Sequence, residues 1–456
     1  MFVNRSKELA LLNEEYTREN LAFSVIYGRR RVGKTTLIKE YMAEKQAIYF
    51  LVTLESEKVV LARFVNIVAD FFDDDFLRGL ELNSFEQLFI YIAKKQLDKK
   101  LLIVIDEFQY LGKINSAMPS LFQYIVDEII KNSNIHLILC GSIISMMCEQ
   151  TLSYNSPLYG RRTSAIKLEA LKFAYLKPFF PHKTDRELIE LYAVLDGVPK
   201  YIEMFRETQN IFSAIEKNIL DKNAYLYDEP RYILQNEVNE PLNYFTILEA
   251  IARGEHKLGH IASRLGKNVQ NITSYMTKLM ELDIIYKEVP ITEVNPLKSK
   301  KGLYYIKDNF FRFWFLYVLN YKSQLEMENR NFVLKKIKEN FEGFVSKTYE
   351  DLSVAKVLED FELLKAGRWW NKNEEIDIVG VAEEFLIVGE CKYSNKKVGT
   401  DILAALKKKS EEIELKLPIE KYLLFSKSGF TPALLAEAET DERLVLYTLL
   451  QREVSD

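Results

Sequence analysis

The sequence predicts an α/β protein: a core built on a parallel sheet, then a helical segment, a three-helix module with a β wing, and a second α/β domain. Three observations predict it. A strand-like run leads directly into a glycine-rich loop and a helical pattern at residues 22–41. Two further uninterrupted apolar runs, LLIVI from Leu101 and IHLIL from Ile135, follow it. Strand-like runs then return between helical patterns near the carboxyl end. Runs that are apolar at every position suit parallel strands covered on both faces.

At 456 residues the chain is too long for one core and suits about three domains. Its formal charge of −4 means that a nucleic-acid contact needs a local basic patch, because the whole molecule is not a polycation. Cys140, Cys148 and Cys391 form no C-x-x-C pair and only four histidines are present, which argues against a disulfide framework or a structural zinc site. The polar, charged start MFVNRSKELALL is unlike a secretion signal. The most apolar stretch, FFRFWFLYVLNY from Phe310, is shorter than a membrane span and contains Arg312. The expectation is a cytoplasmic protein without a membrane segment.

Ala22–Tyr27 reads as the first buried strand. Gly28-Arg29-Arg30-Arg31-Val32-Gly33-Lys34-Thr35 then matches G-x-x-x-x-G-K-T, followed by Thr36 and by Leu37, Ile38 and Tyr41 at helical spacing. Strand, loop and helix in that order form a phosphate-binding loop, with backbone N–H groups turned toward an anion at a helix N-terminus. Lys34 is expected at the β- and γ-phosphates of ATP, and the Thr35 hydroxyl on Mg²⁺. Leu101–Ile105 ends in Asp106-Glu107, assigned to the Mg²⁺ shell and to the attacking water respectively. Ile135–Leu139 ends in Cys140-Gly141-Ser142, where Ser142 is either a γ-phosphate sensor or a helix cap.

Six segments, FVNRSKEL, the phosphate loop, LIVIDEFQYL, LCGS, PLYGRR and GVPKY, resemble in order the archaeal-type ATPases of the STAND branch of AAA+ proteins, over residues 1 to about 310. The resemblance implies an ATPase core at 1–180 and a helical lid at 181–237. It implies that Arg5 and Pro199, in Gly197-Val198-Pro199, lie near the base of the nucleotide. Asn4 stands where relatives usually carry glycine. Arg161 or Arg162 would approach the γ-phosphate, where a cation offsets developing charge; a solvated arginine pair is the other reading.

Residues 238–310 read as three helices and a two-stranded wing around NPLKSKK, a winged helix-turn-helix. Lys267, Asn268, Gln270 and Asn271 stand at the start of its third helix, where a major-groove reader presents side chains, with Lys298, Lys300 and Lys301 on the wing. The module serves either DNA or, as is common in the STAND branch, the nucleotide as an intramolecular lid. The aromatic residues Phe310, Phe311, Trp314 and Phe315, with Val318, read as a core helix in a 311–336 linker rather than a base-stacking platform.

Residues 337–456 open with an amphipathic helix carrying Ile337, Phe341, Val345, Leu352 and Ala355. Three strand-like runs follow, then helix, strand, helix and strand. This order resembles the restriction-endonuclease-like fold. Asp377 falls on the second run, and Glu390 and Lys392 lie two apart on the third, hence on one face. They resemble the PD-(D/E)xK set, here D-x₁₂-ECK, in which two carboxylates hold Mg²⁺ and the lysine orients water. Glu342 resembles the helix acid that relatives place beside the metal, with Glu350 as a second candidate. Expected partners are ATP/ADP and nucleic acid, DNA ahead of RNA. A homo-oligomer or protein partner is compatible with this, and a membrane is not expected. The rival expectation is a nucleotide-dependent switch or DNA-binding regulator whose C-terminal domain only binds.

Overall fold

The computed structural model of the chain describes residues 3–208 and 210–453, which form two compact units. One holds the described residues up to Leu171 with Val198–Lys200 and Ile233–Asn239. The other holds Lys172–Gly197, Tyr201–Tyr232 and the described residues from Glu240 onward. The five segments expected from the sequence are finer than this division. Phe2 of the FVNRSKEL motif lies outside the described residues.

In the first unit β1 (Ala22–Tyr27), β2 (Ala47–Leu51), β3 (Leu101–Asp106), β4 (Ile135–Gly141) and β5 (Ser164–Lys167) form a parallel sheet in the order β2-β3-β4-β1-β5. Side chains alternate across a strand, so β3 feeds two cores. Leu101, Ile103 and Ile105 pack with Phe64, Phe85 and Phe89. Leu102 and Val104 pack with Leu12, Leu37, Ile38 and Tyr41. Burial on both faces explains why the inner strands read as unbroken apolar runs. Because all five are parallel, the loop after β1, the acids at the end of β3 and Ser142 after β4 emerge at the same edge of the sheet. That edge is where open α/β sheets bind ligands.

The second unit contains the helices Pro241–Ala252, Leu258–Arg264 and Val269–Glu281, then the antiparallel pair β6 (Ile285–Glu288) and β7 (Leu303–Ile306). Phe310, Phe311, Trp314, Phe315 and Val318 are fully buried, as the core reading of that stretch requires. A helix of 31 residues, Arg330–Asp360, begins seven positions before the expected start at 337. Its buried side follows Ile337, Phe341, Val345, Tyr349, Ser353 and Val357. Leu352 is only half-buried and Ala355 is exposed, so neither belongs to the stripe the sequence suggested.

The carboxyl-terminal sheet consists of β8 (Lys365–Trp370), β9 (Glu375–Val381), β10 (Leu386–Lys392), β11 (Ile419–Ser426), β12 (Leu444–Thr448) and β13 (Gln451–Arg452), in the order β13-β12-β11-β10-β9-β8. It is mixed: β8, β9 and β10 pair antiparallel, β10, β11 and β12 parallel, and β13 antiparallel. No helix among the described residues is long and apolar enough to cross a membrane.

Candidate functional site

Two sites follow from this framework. In the first, the chain leaves β1 at Gly28 with φ 152°, and a Cβ there would lie 2.3 Å from the carbonyl oxygen of Leu168, so no larger residue fits. Arg31 (φ 72°) and Gly33 (φ 99°) take left-handed conformations that curl the loop onto the helix Lys34–Met42. Arg29, Arg30 and Val32 complete the curl. Arg5 locks it from outside: its guanidinium donates to the Val32 carbonyl at 3.0 Å and the Glu169 carbonyl at 2.7 Å. Pro199, at the start of a helix, lies 4.0 Å from where a Gly33 Cβ would stand.

Lys34 is buried and donates to the carbonyls of Gly28 at 2.7 Å and Arg29 at 2.9 Å. Burial lowers its pKa, while Cys140, Glu107 and Asp106 oppose that shift. The Thr35 hydroxyl donates to Asp106 Oδ2 at 3.3 Å, and Tyr49 donates to the same oxygen at 2.7 Å. A hydroxyl and a carboxylate side by side suit Mg²⁺, which takes few protein oxygens and completes its shell with phosphate and water. Glu107 sits at φ 57° and accepts from Gln109 and from Ser142, whose hydroxyl is 2.8–2.9 Å from both carboxylate oxygens. Arg30 joins this group, its Nε 3.4 Å from Ser142 Oγ and its Nη2 3.0 Å from the Tyr110 hydroxyl. Thr36 is exposed on the following turn. Arg161 is held elsewhere, on Asp127 at 2.8 Å and the carbonyls of Pro157 and Tyr159. Arg162 lies over the Tyr159 ring, with one buried guanidinium nitrogen lacking a hydrogen-bond partner.

The second site lies where β9 and β10 separate. Their ladder stops at Gly389–Ile378, one residue short of Asp377 and Glu390. Asp377 Oδ2 there accepts from the Cys391 backbone N–H at 2.9 Å. Lys392 Nζ lies 2.7 Å from Glu390 Oε1. Of the two helix acids singled out in the sequence, Glu350 is the one linked electrostatically to Asp377. Burial, then the Asp377 charge, pushes it up to about 7, while burial, then Glu390, pushes Asp377 up to about 6. The buried Cys391 thiol is likewise raised, by burial first and then by the charges of Asp377, Glu350 and Glu390. Glu342 does not join this group: it pairs with Lys427 at 2.6 Å and with Asn395. A residue overlooked in the sequence, Lys409, approaches Glu390 from the helix Thr400–Ser410, 3.3 and 3.4 Å from its two oxygens. Its only signal was a run of three lysines, which looks like a solvated helix end.

These oxygens suit a divalent cation by chemistry, but the arrangement does not hold one as it stands. Two ammonium groups occupy Glu390, and no group of three or more His, Cys, Asp or Glu side chains among the described residues is set to grip a metal. In the three-helix module Asn268, Gln270, Asn271, Lys298, Lys300 and Lys301 are exposed, and Lys267 rests over the Tyr275 ring.

A family described as ATPase domains predominantly from Archaea matches residues 2–205, and one described as Archaea bacterial proteins of unknown function matches residues 314–411. An uncharacterised protein of Methanocaldococcus jannaschii is 38% identical over 388 residues, 84% of this chain and 84% of that protein. An uncharacterised ATP-binding protein of the same organism is 46% identical over 46 residues, 10% of this chain and 78% of that protein. Among solved structures, the Walker-type ATPase of Pyrococcus abyssi superposes with a TM-score of 0.50 at 19% identity, covering 69% of this chain and 96% of that one, which shows a shared fold.

Proposed function

The chain belongs to the family of P-loop ATPases found predominantly in Archaea, and from that premise we propose that its ATP cycle governs a phosphodiester-cleaving site in the carboxyl-terminal domain. The substrate is nucleic acid, DNA ahead of RNA, engaged by the exposed amide and lysine side chains of a winged helix-turn-helix at 238–310. The carboxyl-terminal domain is of the restriction-endonuclease-like kind.

In the ATPase step Lys34 leaves the carbonyls of Gly28 and Arg29 for the β- and γ-phosphates. Thr35 and Asp106 would hold Mg²⁺, which when bound would neutralise phosphate charge. Glu107 turns from Ser142 and Gln109 to take the proton of the attacking water, and Ser142 is then free to meet the γ-phosphate. Pro199 lies against the base.

One observation carries the second activity: Asp377 and Glu390 stand side by side where the β9–β10 ladder ends, with the Cys391 backbone N–H on Asp377 and the Lys392 amine on Glu390. Burial and neighbouring charge raise Asp377 and Glu350, and carboxyls perturbed in this way point to a candidate functional site. The test is incubation of the full chain with supercoiled DNA or single-stranded RNA and Mg²⁺ or Mn²⁺, with and without ATP. Cleavage is expected in the wild type and should fall at least about a hundredfold in Asp377→Ala and Lys392→Ala, with ATP binding retained. Cleavage that survives both substitutions refutes the site.

The rival reading, a nucleotide-dependent regulator that binds DNA without cutting it, is favoured by the lack of a metal-ready trio among the described residues. It predicts ATP-sensitive, strongly salt-dependent DNA binding and no cleavage at any metal concentration.

A further inference from the structure

A carboxylate buried to 8% exposure needs a counter-charge, and one well-placed ammonium supplies it. Glu390 has two. Lys392, on its own strand, is 2.7 Å from one oxygen. Lys409 comes from a different element and stands almost equidistant from both oxygens, at 3.3 and 3.4 Å, as a cation gripped by both would stand. Its neighbours in the lysine run are engaged elsewhere or exposed: Lys407 pairs with Glu437 and Asp441, and Lys408 faces solvent. The helix therefore turns one lysine of three into the site. Its ammonium rides on the final turn of its helix, at the end of a long, rotatable stem.

We infer that Lys409 is the resident counter-ion of Glu390 which a divalent cation displaces, so that loading the site and presenting a free amine to an anionic substrate are one event. This rests on the reading that Asp377 and Glu390 form a cation-dependent site. In its unloaded state the site is held shut by Lys409, and it opens only where cation and phosphate arrive together, the cation taking Glu390 and the phosphate taking the released ammonium. Lys409 thus meets the substrate phosphate once the site is loaded, unlike Lys392, which stays on Glu390 from the same strand.

The test uses the full chain without nucleotide, comparing wild type, Lys409→Met, Lys409→Arg and Asp377→Asn. Mn²⁺ binding is followed by the loss of the free-ion electron paramagnetic resonance signal, and the part lost in Asp377→Asn is assigned to this site. Retained ATP binding and an unchanged circular dichroism spectrum report folding. Removing a like charge a few ångströms away should tighten Asp377-dependent Mn²⁺ binding by about tenfold or more in Lys409→Met. Lys409→Arg should keep wild-type affinity. Cleavage by Lys409→Met should fall despite the better-filled metal site, a combination that a merely structural lysine would not give.

Unchanged or weaker Mn²⁺ binding in Lys409→Met overturns the inference while leaving the proposed cleavage site standing. Tighter binding in a protein that cuts nothing supports the inference and removes the cleavage reading. No Asp377-dependent binding in any form overturns both.

Discussion

Buried near the start of β4, His136 shows how one side chain can tie the stability of the ATPase core to pH. The Tyr41 hydroxyl donates to the Leu12 carbonyl at 2.7 Å, so its oxygen accepts from His136 Nδ1 at 2.9 Å. Nε2 is thereby the acceptor, taking the Ser24 hydroxyl proton at 2.8 Å. The imidazole is neutral in this chain of bonds, and burial lowers its pKa to about 3. An unfolded chain binds the proton near pH 6.5, so stability is intact above that value and is lost as pH falls from 6.5 toward 3. At pH 5 the loss is about 2 kcal/mol. Thermal melts between pH 7.5 and 5 should show it, and His136→Gln should flatten the slope even though it lowers stability overall. An equal slope in that variant would assign the acid sensitivity to other groups. At the nucleotide site two substitutions should separate binding from chemistry. Lys34→Ala should abolish ATP binding, read by nucleotide-induced thermal shift. If Glu107 takes the water's proton as proposed, Glu107→Gln should keep that shift and slow hydrolysis by about 10²–10⁴-fold.

Among the elements, those whose pattern is set by burial were legible and those set by a neighbour were not. The strands β1, β3 and β4 could be read because covering both faces demands apolar residues at each position. The edge strand β2 was missed: only five residues long and half-covered, Ala47–Leu51 offers too short a pattern. The acid pair on β9 and β10 followed from period-two spacing, but the choice of helix acid did not. Glu342 and Glu350 are eight residues apart, about 12 Å along the axis and nearly a quarter-turn around it, and only the docking of the helix decides between them. The wing hides a further case. The β8–β9 register shifts between Gly367 and Trp369, at Arg368. Its guanidinium reaches Glu288 of β6 at 3.1 Å and the Tyr305 hydroxyl of β7 at 2.8 Å, and also pairs with Glu375. Ile291, in the loop of the wing, packs against the carboxyl-terminal core and donates its N–H to the Arg368 carbonyl at 2.9 Å. Breaking such a largely buried charged cluster costs about 3–5 kcal/mol. Arg368→Ala should therefore release the wing: trypsin should cut at Lys298, Lys300 or Lys301 faster than in wild type, with ATP binding unchanged. Cleavage at the wild-type rate would mean that the backbone bond and Ile291 hold the wing without the arginine.

At the scale of the molecule, the question is how a nucleotide could influence carboxylates in another part of the chain. The helix Asp185–Leu195 leads through Asp196 and Gly197 to Pro199, the residue beside Gly33 of the phosphate loop. The same helix carries Glu190, which accepts from the Tyr393 hydroxyl at 3.3 Å and pairs with Arg186 at 2.9 Å. Tyr393 directly follows Lys392 and is buried, its ring packed on Tyr349 of the long helix. Along the chain, Glu190 and Pro199 are thus only nine residues apart. A shift of that helix with nucleotide state would pull on the backbone that sets Lys392, provided the Tyr393–Glu190 bond transmits it. A single hydrogen bond contributes about 1 kcal/mol, so its coupling can amount to about fivefold and no more. Tyr393→Phe keeps the ring packing and removes only that bond. The ratio of nucleic-acid cleavage rates with and without ATP should therefore move toward one in this variant, by up to about fivefold. The rate without ATP should change little, because the ring still supports β10. If the ratio stays at its wild-type value, the nucleotide signal travels by another route. Glu237 is then the next place to look, since its carboxylate accepts from the backbone N–H groups of Ile144 and Ser145 just after Ser142, and the chain runs on from it to Pro241 and the three-helix module.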